Sequence, residues 1–209
     1  MRLLPCGSSA LLVELADLDE VLGYYAALRA APPAGVVDIV PAARTVMVAI
    51  DPAVTGLAAL ERSLRDTVAR EDRRAGGDLV EIPVVYDGQD LADVAELLGC
   101  DVAEVVRRHT SDEWTVAFCG FAPGFGYLTG QSEWNVPRRS SPRTKVPAGS
   151  VALAGEFSGV YPRESPGGWQ LLGRTEVAVF DLDRDPAALL SPGRRVRFVD
   201  VRDTSRGAR

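Results

Sequence analysis

The sequence predicts an α+β protein made of two unlike parts. Up to about residue 88 the elements run β-α-β-β-α-β, the split, ferredoxin-like order in which two helices cover one face of an antiparallel sheet. After Glu113 the helical period is lost, and short apolar runs alternate with Gly and Pro, the texture of a small β-barrel or sandwich. Two short helical stretches lie between and read as a linker to the second part. The expected domains are residues 1–88 and 89–209, and an α/β layer with another strand order is the alternative for the first.

Ala10 to Leu15 reads as a strand. Asp17 or Asp19 caps a helix to about Ala31, in which Val21, Leu22, Tyr25 and Leu28 follow the 3.6-residue period, and Pro32-Pro33 stops it. Val36 to Val40 and Thr45 to Ile50 are β-branched runs joined as a hairpin. Thr55 caps a helix with Leu57, Leu60, Leu64 and Val68 on one face, running into the charged Arg70 to Arg74 and then Gly76-Gly77. Leu79 to Tyr86 completes the set, Pro83 marking an edge or a bulge. The linker helices run from Asp90 to Leu98 and from Asp101 to about His109, the second with Val102, Val105, Val106 and His109 on one face. The later strands are expected at Thr115–Cys119, Ser150–Ala154, Gly159–Tyr161, Trp169–Leu172, Val177–Phe180 and Arg195–Val201, with a frayed end from Asp203.

A chain of 209 residues, 46% hydrophobic and 25% charged, is ample for a sizeable core. Its net charge of -6 argues against non-specific nucleic-acid binding, yet a local basic patch can sit on an acidic protein. Cys6, Cys100 and Cys119 are odd in number and widely spaced, no CxxC occurs, and His109 is the single histidine. A disulfide framework and a structural zinc or other metal site are therefore not expected, and a reducing, cytoplasmic setting is. The apolar run before Cys6 is too short for a signal peptide, and no run approaches the roughly 18 residues of a membrane span.

The stretch from Trp114 to Thr175 holds all three Trp and concentrates the residue types of a ligand site. Phe118, Phe121, Phe125 and Tyr127 surround Gly120, Pro123, Gly124 and Gly126. That is a backbone-lined cradle with aromatic walls, or a tight barrel corner with its own plug. Ser165 to Trp169, with Gly167 and Gly168, has the same two readings. Arg138, Arg139, Arg143 and Lys145 form a basic strip held extended by Pro137, Pro142 and Pro147, with no acidic residue between Glu133 and Glu156. It is an anion-binding groove or a solvated edge. No P-loop, no dinucleotide GxGxxG and no GxSxG elbow is present. Cys119 lies in an apolar strand pattern, where a thiol is usually inert. His109 is a packing residue or an acid–base group, and Glu113, four residues on, could orient it if the helix continues.

Phe118, Gly120, Phe121, Pro123, Gly124, Phe125, Tyr127 and Leu128 form one long motif. Pro137, Arg138, Pro142, Arg143 and Val146 to Val151 form a second, and Gly159 to Pro162 with Ser165 to Thr175 a third. Together they resemble the 5-oxoprolinase B-subunit family, also called allophanate hydrolase subunit 1 or the KipI family. The resemblance implies a ferredoxin-like domain followed by a cyclophilin-like β-barrel. It implies one component of an ATP-dependent 5-oxoprolinase, a hydrolase that opens 5-oxo-L-proline to L-glutamate, inactive without its partners. Those are a protein like the 5-oxoprolinase C subunit, in direct contact, and a protein like the A subunit. ATP, with or without Mg2+, is expected on the assembled complex. The family also includes carboxyltransferase or allophanate-type subunits and an inhibitor of a sensor histidine kinase, and both remain alternatives.

Carried over position by position, the resemblance singles out His109, and its chemistry makes it the expected catalytic acid or base, with Glu113 as its orienting carboxylate. Arg138, Arg143, Lys145 and Tyr161 are the expected substrate or phosphate ligands. Phe121, Pro123, Gly124, Phe125, Tyr127, Gly155, Gly167, Gly168 and Trp169 are the expected pocket, and Pro147, Gly149 and Ser150 match the pattern too. One departure stands out: many members have Gln-Thr-Gly before the Tyr-Pro, where this chain has Phe157-Ser158-Gly159.

Overall fold

In the computed structural model, residues 1–70 and 78–204 are described. The chain separates into one unit at Met1–Arg73 and another at Arg74–Arg209. The first comprises β1 (Arg2–Pro5), β2 (Ala10–Glu14), α1 (Leu18–Ala30), β3 (Val36–Pro41), β4 (Thr45–Ile50) and α2 (Leu57–Asp66). Asp17 Oδ1 accepts from Glu20 N at 2.9 Å, and Glu20 reaches back to Ala16 N at 2.7 Å. This reciprocal cap starts α1 where the sequence places it. Gly56, not Thr55, stands at the start of α2 and offers no side-chain cap. Leu11 and Val13 of β2, with Val46, Val48 and Ile50 of β4, pack against Val21, Tyr24 and Leu28 of α1 and Leu60 and Leu64 of α2. Tyr24 ties the helices together by donating to the Leu64 carbonyl at 2.6 Å.

The sheet order is β1-β2-β4-β3, all antiparallel. It corrects the expected β-α-β-β-α-β chain in one respect. The place beside β2 that the last strand of a split arrangement would fill is taken by β1, an N-terminal strand the pattern did not reveal. Leu79–Val84 pairs in the other unit, so the division falls between Arg73 and Arg74 rather than after residue 88. Its β-branched alternation suits either sheet equally, and alternation says nothing about the partner. The charged end of the helix after Arg70, Gly76-Gly77 and the last five residues lie outside the described residues.

The second unit opens with β5 (Leu79–Val84), then α3 (Leu91–Leu97) and α4 (Val102–Ser111). There follow β6 (Trp114–Cys119), β7 (Gly126–Thr129), β8 (Arg143–Val146), β9 (Ser150–Ala154), β10 (Phe157–Val160), β11 (Ser165–Gly167), β12 (Gln170–Arg174), β13 (Arg195–Asp200) and a last turn, α5 (Val201–Thr204). Among the described residues seven of these strands form one sheet in the order β12-β9-β10-β7-β6-β13-β5. Its two ends meet where Val85 and Arg174 exchange backbone hydrogen bonds, each of 2.9 Å. That junction nearly closes a barrel and removes the edges that an open sheet exposes. Val177 to Phe180 forms no strand, and a single bridge joins Phe180 to Ala188. The barrel core gathers Ile82, Val84, Trp114, Val116, Leu128, Leu153, Leu172, Val196 and Phe198, with α3 and α4 adding Leu91, Val94, Val105 and Val106.

Candidate functional site

His109, expected to be catalytic, lies inside this core. It has no exposed surface and stacks on Phe198 with ring centroids 4.4 Å apart. Both ring nitrogens are taken: Tyr86 Oη is 2.7 Å from Nδ1 and Ser158 Oγ is 2.9 Å from Nε2. Burial drives its pKa down to about 3, against a smaller opposing pull from Asp112, so the ring is neutral. Glu113 does not orient it, because α4 ends at Ser111 and the Glu113 carboxylate pairs with Arg195. His109 shares the apolar face of α4 with Val105 and Val106, the position a packing residue takes. The departure at Phe157-Ser158 bears on the same spot: Ser158 supplies the hydroxyl that holds His109, while Phe157 lies edge-on to Phe118 and Tyr127.

The aromatic motif folds as a barrel corner with a plug. Phe125, Tyr161 and Trp169 are buried together, each edge-on to a neighbour at 5.3–5.4 Å. Gly124 and Gly167 are glycines for contact reasons: a Cβ at the first would strike Phe180, and at the second the Tyr161 hydroxyl. Gly155 pairs its backbone with Val136, Gly168 accepts from Arg139 N at 2.8 Å, and Pro123 is exposed on the turn. Tyr161, expected to bind substrate, is 2% exposed and not presented to a ligand. Burial raises its pKa, offset in part by the Trp169 backbone and by the charges of Arg138 and Arg143.

Phe121 is the exception among these rings. It is 57% exposed and has φ of 66°, a region that non-glycine residues seldom enter. Ala122 N bonds to Gly120 O at 2.7 Å across it, a three-residue turn, and Phe125 N returns to Ala122 O. A strained turn that pushes a large apolar ring into solvent opposes both local backbone preference and burial, and such outliers gather at functional sites. The Phe121 ring lies edge-on to Phe125 and Tyr161. Arg138 is exposed too, and makes no hydrogen bond or ion pair among the described residues.

The rest of the basic strip divides. Lys145 reaches outward to Glu164 at 3.1 Å, both largely exposed. Arg139 and Arg143 turn inward onto Asp90, a residue with no signal in the sequence beyond a helix start. Asp90 is 1% exposed and does not cap α3 with its side chain. Its Oδ1 accepts from Arg139 Nη1 at 2.5 Å and Arg143 Nη2 at 2.8 Å, and its Oδ2 accepts from Leu171 N at 2.7 Å. Burial pushes the Asp90 carboxyl up. The Arg143 hydrogen bond, the Leu171 N–H and the charges of the two arginines outweigh that and hold it below the usual carboxylate range. Gln89 adds an acceptor to Arg143, and Gln170 donates to Pro137 O. Arg139 Nε, Arg143 Nη1 and Gln170 Oε1 are left buried and without partners. Such orphans are scarce in native proteins.

Comparison with known proteins decides the family. The family described as "Carboxyltransferase domain, subdomain C and D" matches residues 1–190. The chain belongs to it. It is also 43% identical over 173 residues to the B subunit of 5-oxoprolinase from Escherichia coli O157:H7, covering 80% of this chain and 79% of that protein. The crystal structure of TTHA0988 matches with a TM-score of 0.74 at 37% identity over 92% of this chain, and the match spans only 40% of TTHA0988. Urea carboxylase of Kluyveromyces lactis shares the fold alone, at 18% identity and a TM-score of 0.74, over 98% of this chain and 23% of that one. For this carboxyltransferase-family chain, no helix among the described residues is long and apolar enough to cross a membrane.

Proposed function

We propose that this chain is the B subunit of an ATP-dependent 5-oxoprolinase, opening 5-oxo-L-proline to L-glutamate together with the A and C subunits. The observation that carries the reading is the 43% identity with a 5-oxoprolinase B subunit across about four-fifths of both proteins. A chain like the C subunit is its direct partner. In support, TTHA0988 carries this fold in two-fifths of its length, leaving room for a further body on the same chain.

Opening an unstrained lactam requires activation of its oxygen, for example by phosphorylation, which calls for donors aimed at anionic oxygens. Arg138 is the side chain best placed to meet a carboxylate or phosphate, because it is exposed and its guanidinium is unpaired among the described residues. ATP is assigned to the assembled complex. On this chain the donor that fits its phosphates is Arg138, exposed and unpaired among the described residues. Among the described residues no three His, Cys, Asp or Glu side chains group to hold a metal, and Mg2+ is assigned, with ATP, to the assembled complex. His109 moves no proton in this scheme. The free thiols of Cys6, Cys100 and Cys119 suit a cytoplasmic setting.

The family description favours one second reading, a carboxyltransferase-type component that acts on a urea-derived or biotin-linked group. Reconstitution with the A and C subunits separates the two. ATP-dependent loss of 5-oxoproline is the expected result, reduced at least tenfold by Arg138→Ala. No ATP-dependent loss from the complete complex would sink the 5-oxoprolinase reading.

A further inference from the structure

The Asp90 network ends in unmet hydrogen bonds of two kinds. Arg139 Nε and Arg143 Nη1 are donors without an acceptor, and Gln170 Oε1 is an acceptor without a donor. Gln170 is 6% exposed. Its carboxamide cannot be turned round, because Nε2 donates at 3.1 Å to the Pro137 carbonyl, a group that only accepts. The oxygen is thus held with its lone pairs unused. The surrounding contacts keep the three side chains together. Asp90 binds both guanidiniums and the N–H of Leu171, the residue after Gln170, and Arg139 N bonds to Gly168 O.

The mixture of donors and acceptor selects the ligand chemistry. A carboxylate or phosphate would satisfy the two arginine nitrogens and be repelled by the Gln170 oxygen. A cation would satisfy that oxygen and be repelled by two guanidiniums balanced by one carboxylate. An edge that both accepts and donates satisfies all of them. We propose that this cluster is a subsite for a cis-amide edge, the N–H and C=O that a lactam or a cyclic urea presents side by side. Gln170 Oε1 accepts the amide N–H, and Arg139 Nε or Arg143 Nη1 donates to the amide oxygen. The subsite deepens the 5-oxoprolinase reading and rests on it only in preferring a lactam to a cyclic urea.

The test is NMR on the 15N-labelled full chain, following the arginine Nε–H and glutamine side-chain signals. The probes are 2-pyrrolidinone, 2-imidazolidinone and L-proline, the last having a ring and a carboxylate but no amide. The expected result is that 2-pyrrolidinone shifts the Arg139 and Gln170 signals and L-proline does not. Gln170→Leu should weaken 2-pyrrolidinone about tenfold or more, the worth of one buried hydrogen bond. If that variant does not fold, Gln170→Glu serves: its carboxylate supplies the arginines from within, so lactam binding is lost while the melting temperature holds or rises. Equal response to L-proline and 2-pyrrolidinone overturns the subsite, as does unchanged lactam binding in either variant or no lactam binding at all, the result for a site that holds water only. A larger response to 2-imidazolidinone keeps the cis-amide subsite and counts against a lactam as its occupant. The two proposals fail separately. Turnover without lactam binding to this chain removes the subsite alone, and lactam binding without turnover in the complex removes the 5-oxoprolinase reading alone.

Discussion

Two polar centres lie within the same barrel unit, and they differ in how completely they are satisfied. Around His109, Tyr86 and Ser158 take both ring nitrogens, Trp114 Nε1 donates to the His109 carbonyl at 3.0 Å, and Phe198 covers the face of the ring. Around Asp90, both carboxylate oxygens are in use, yet three atoms of the surrounding Arg139, Arg143 and Gln170 have no partner. A closed centre has nothing left to offer a ligand and serves the fold. An open centre costs stability wherever an atom goes unmatched, and that cost is tolerated where a ligand supplies the match. The residue type most often catalytic is in the closed centre, and the open one is built on a carboxylate that would otherwise pass for a helix cap.

The sharpest way to probe the contrast is to remove the anchor of the open centre. Asp90→Ala leaves two partly buried guanidiniums without their carboxylate, and urea unfolding should show a loss of about 3–5 kcal/mol. The same bond makes the protein acid-sensitive. The Asp90 pKa is lowered in the fold, so its contribution is complete above the ordinary carboxylate pKa and is lost as pH falls through the lower folded value.

His109→Ala comes next, at about 2–4 kcal/mol for a lost ring contact and two hydroxyls left to find new partners. Turnover per folded molecule in the reconstituted complex should hold, and a hundredfold fall in a folded variant would break the comparison. The pH dependence of stability offers a second check. The unfolded chain protonates this histidine below about 6.5, while the native ring stays neutral until about 3. Stability therefore falls as pH drops between those values, by up to about 1.4 kcal/mol per pH unit, and His109→Gln removes that slope.

Phe121→Gly should change stability by only about 1 kcal/mol, in the stabilising direction if relief of the left-handed backbone exceeds the lost ring contacts. Activity of the complex should drop even so, and unaltered activity would show that the exposed ring serves no ligand or partner. Lys145→Ala marks the lower limit. Its pair with Glu164 is exposed, so thermal melts should move by less than about 0.5 kcal/mol and turnover should stay level.

Much of the fold is legible in local pattern. β4 and β9 occupy the predicted residues, α1 ends one residue before the predicted Ala31, and its cap is Asp17, one of the two candidates. The three long motifs identify the family and hold Phe121, Arg138 and Arg143. They do not separate the ring that faces solvent from those that form the plug, because Phe121 and Phe125 have the same side chain and differ only in backbone conformation. Nor do they separate Arg138 from Arg143. One is exposed and the other is bound to a carboxylate 53 residues earlier in the chain. Glu113 is a fair candidate on helical spacing, and the end of α4 at Ser111 removes it.

Periodicity, caps and contiguous motifs are properties of neighbouring residues, so the chain's order of amino acids settles most strands and helices and the family. Packing settles the rest: which sheet each strand joins, which polar centre is closed, and which cations are free. Leu79–Val84 lies parallel to Arg195–Asp200 rather than beside β2, and Asp90 holds Arg139 and Arg143 rather than α3. In both cases the deciding energy is a contact between distant residues, and a β-branched run or a lone aspartate suits many such partners equally well until the chain has packed.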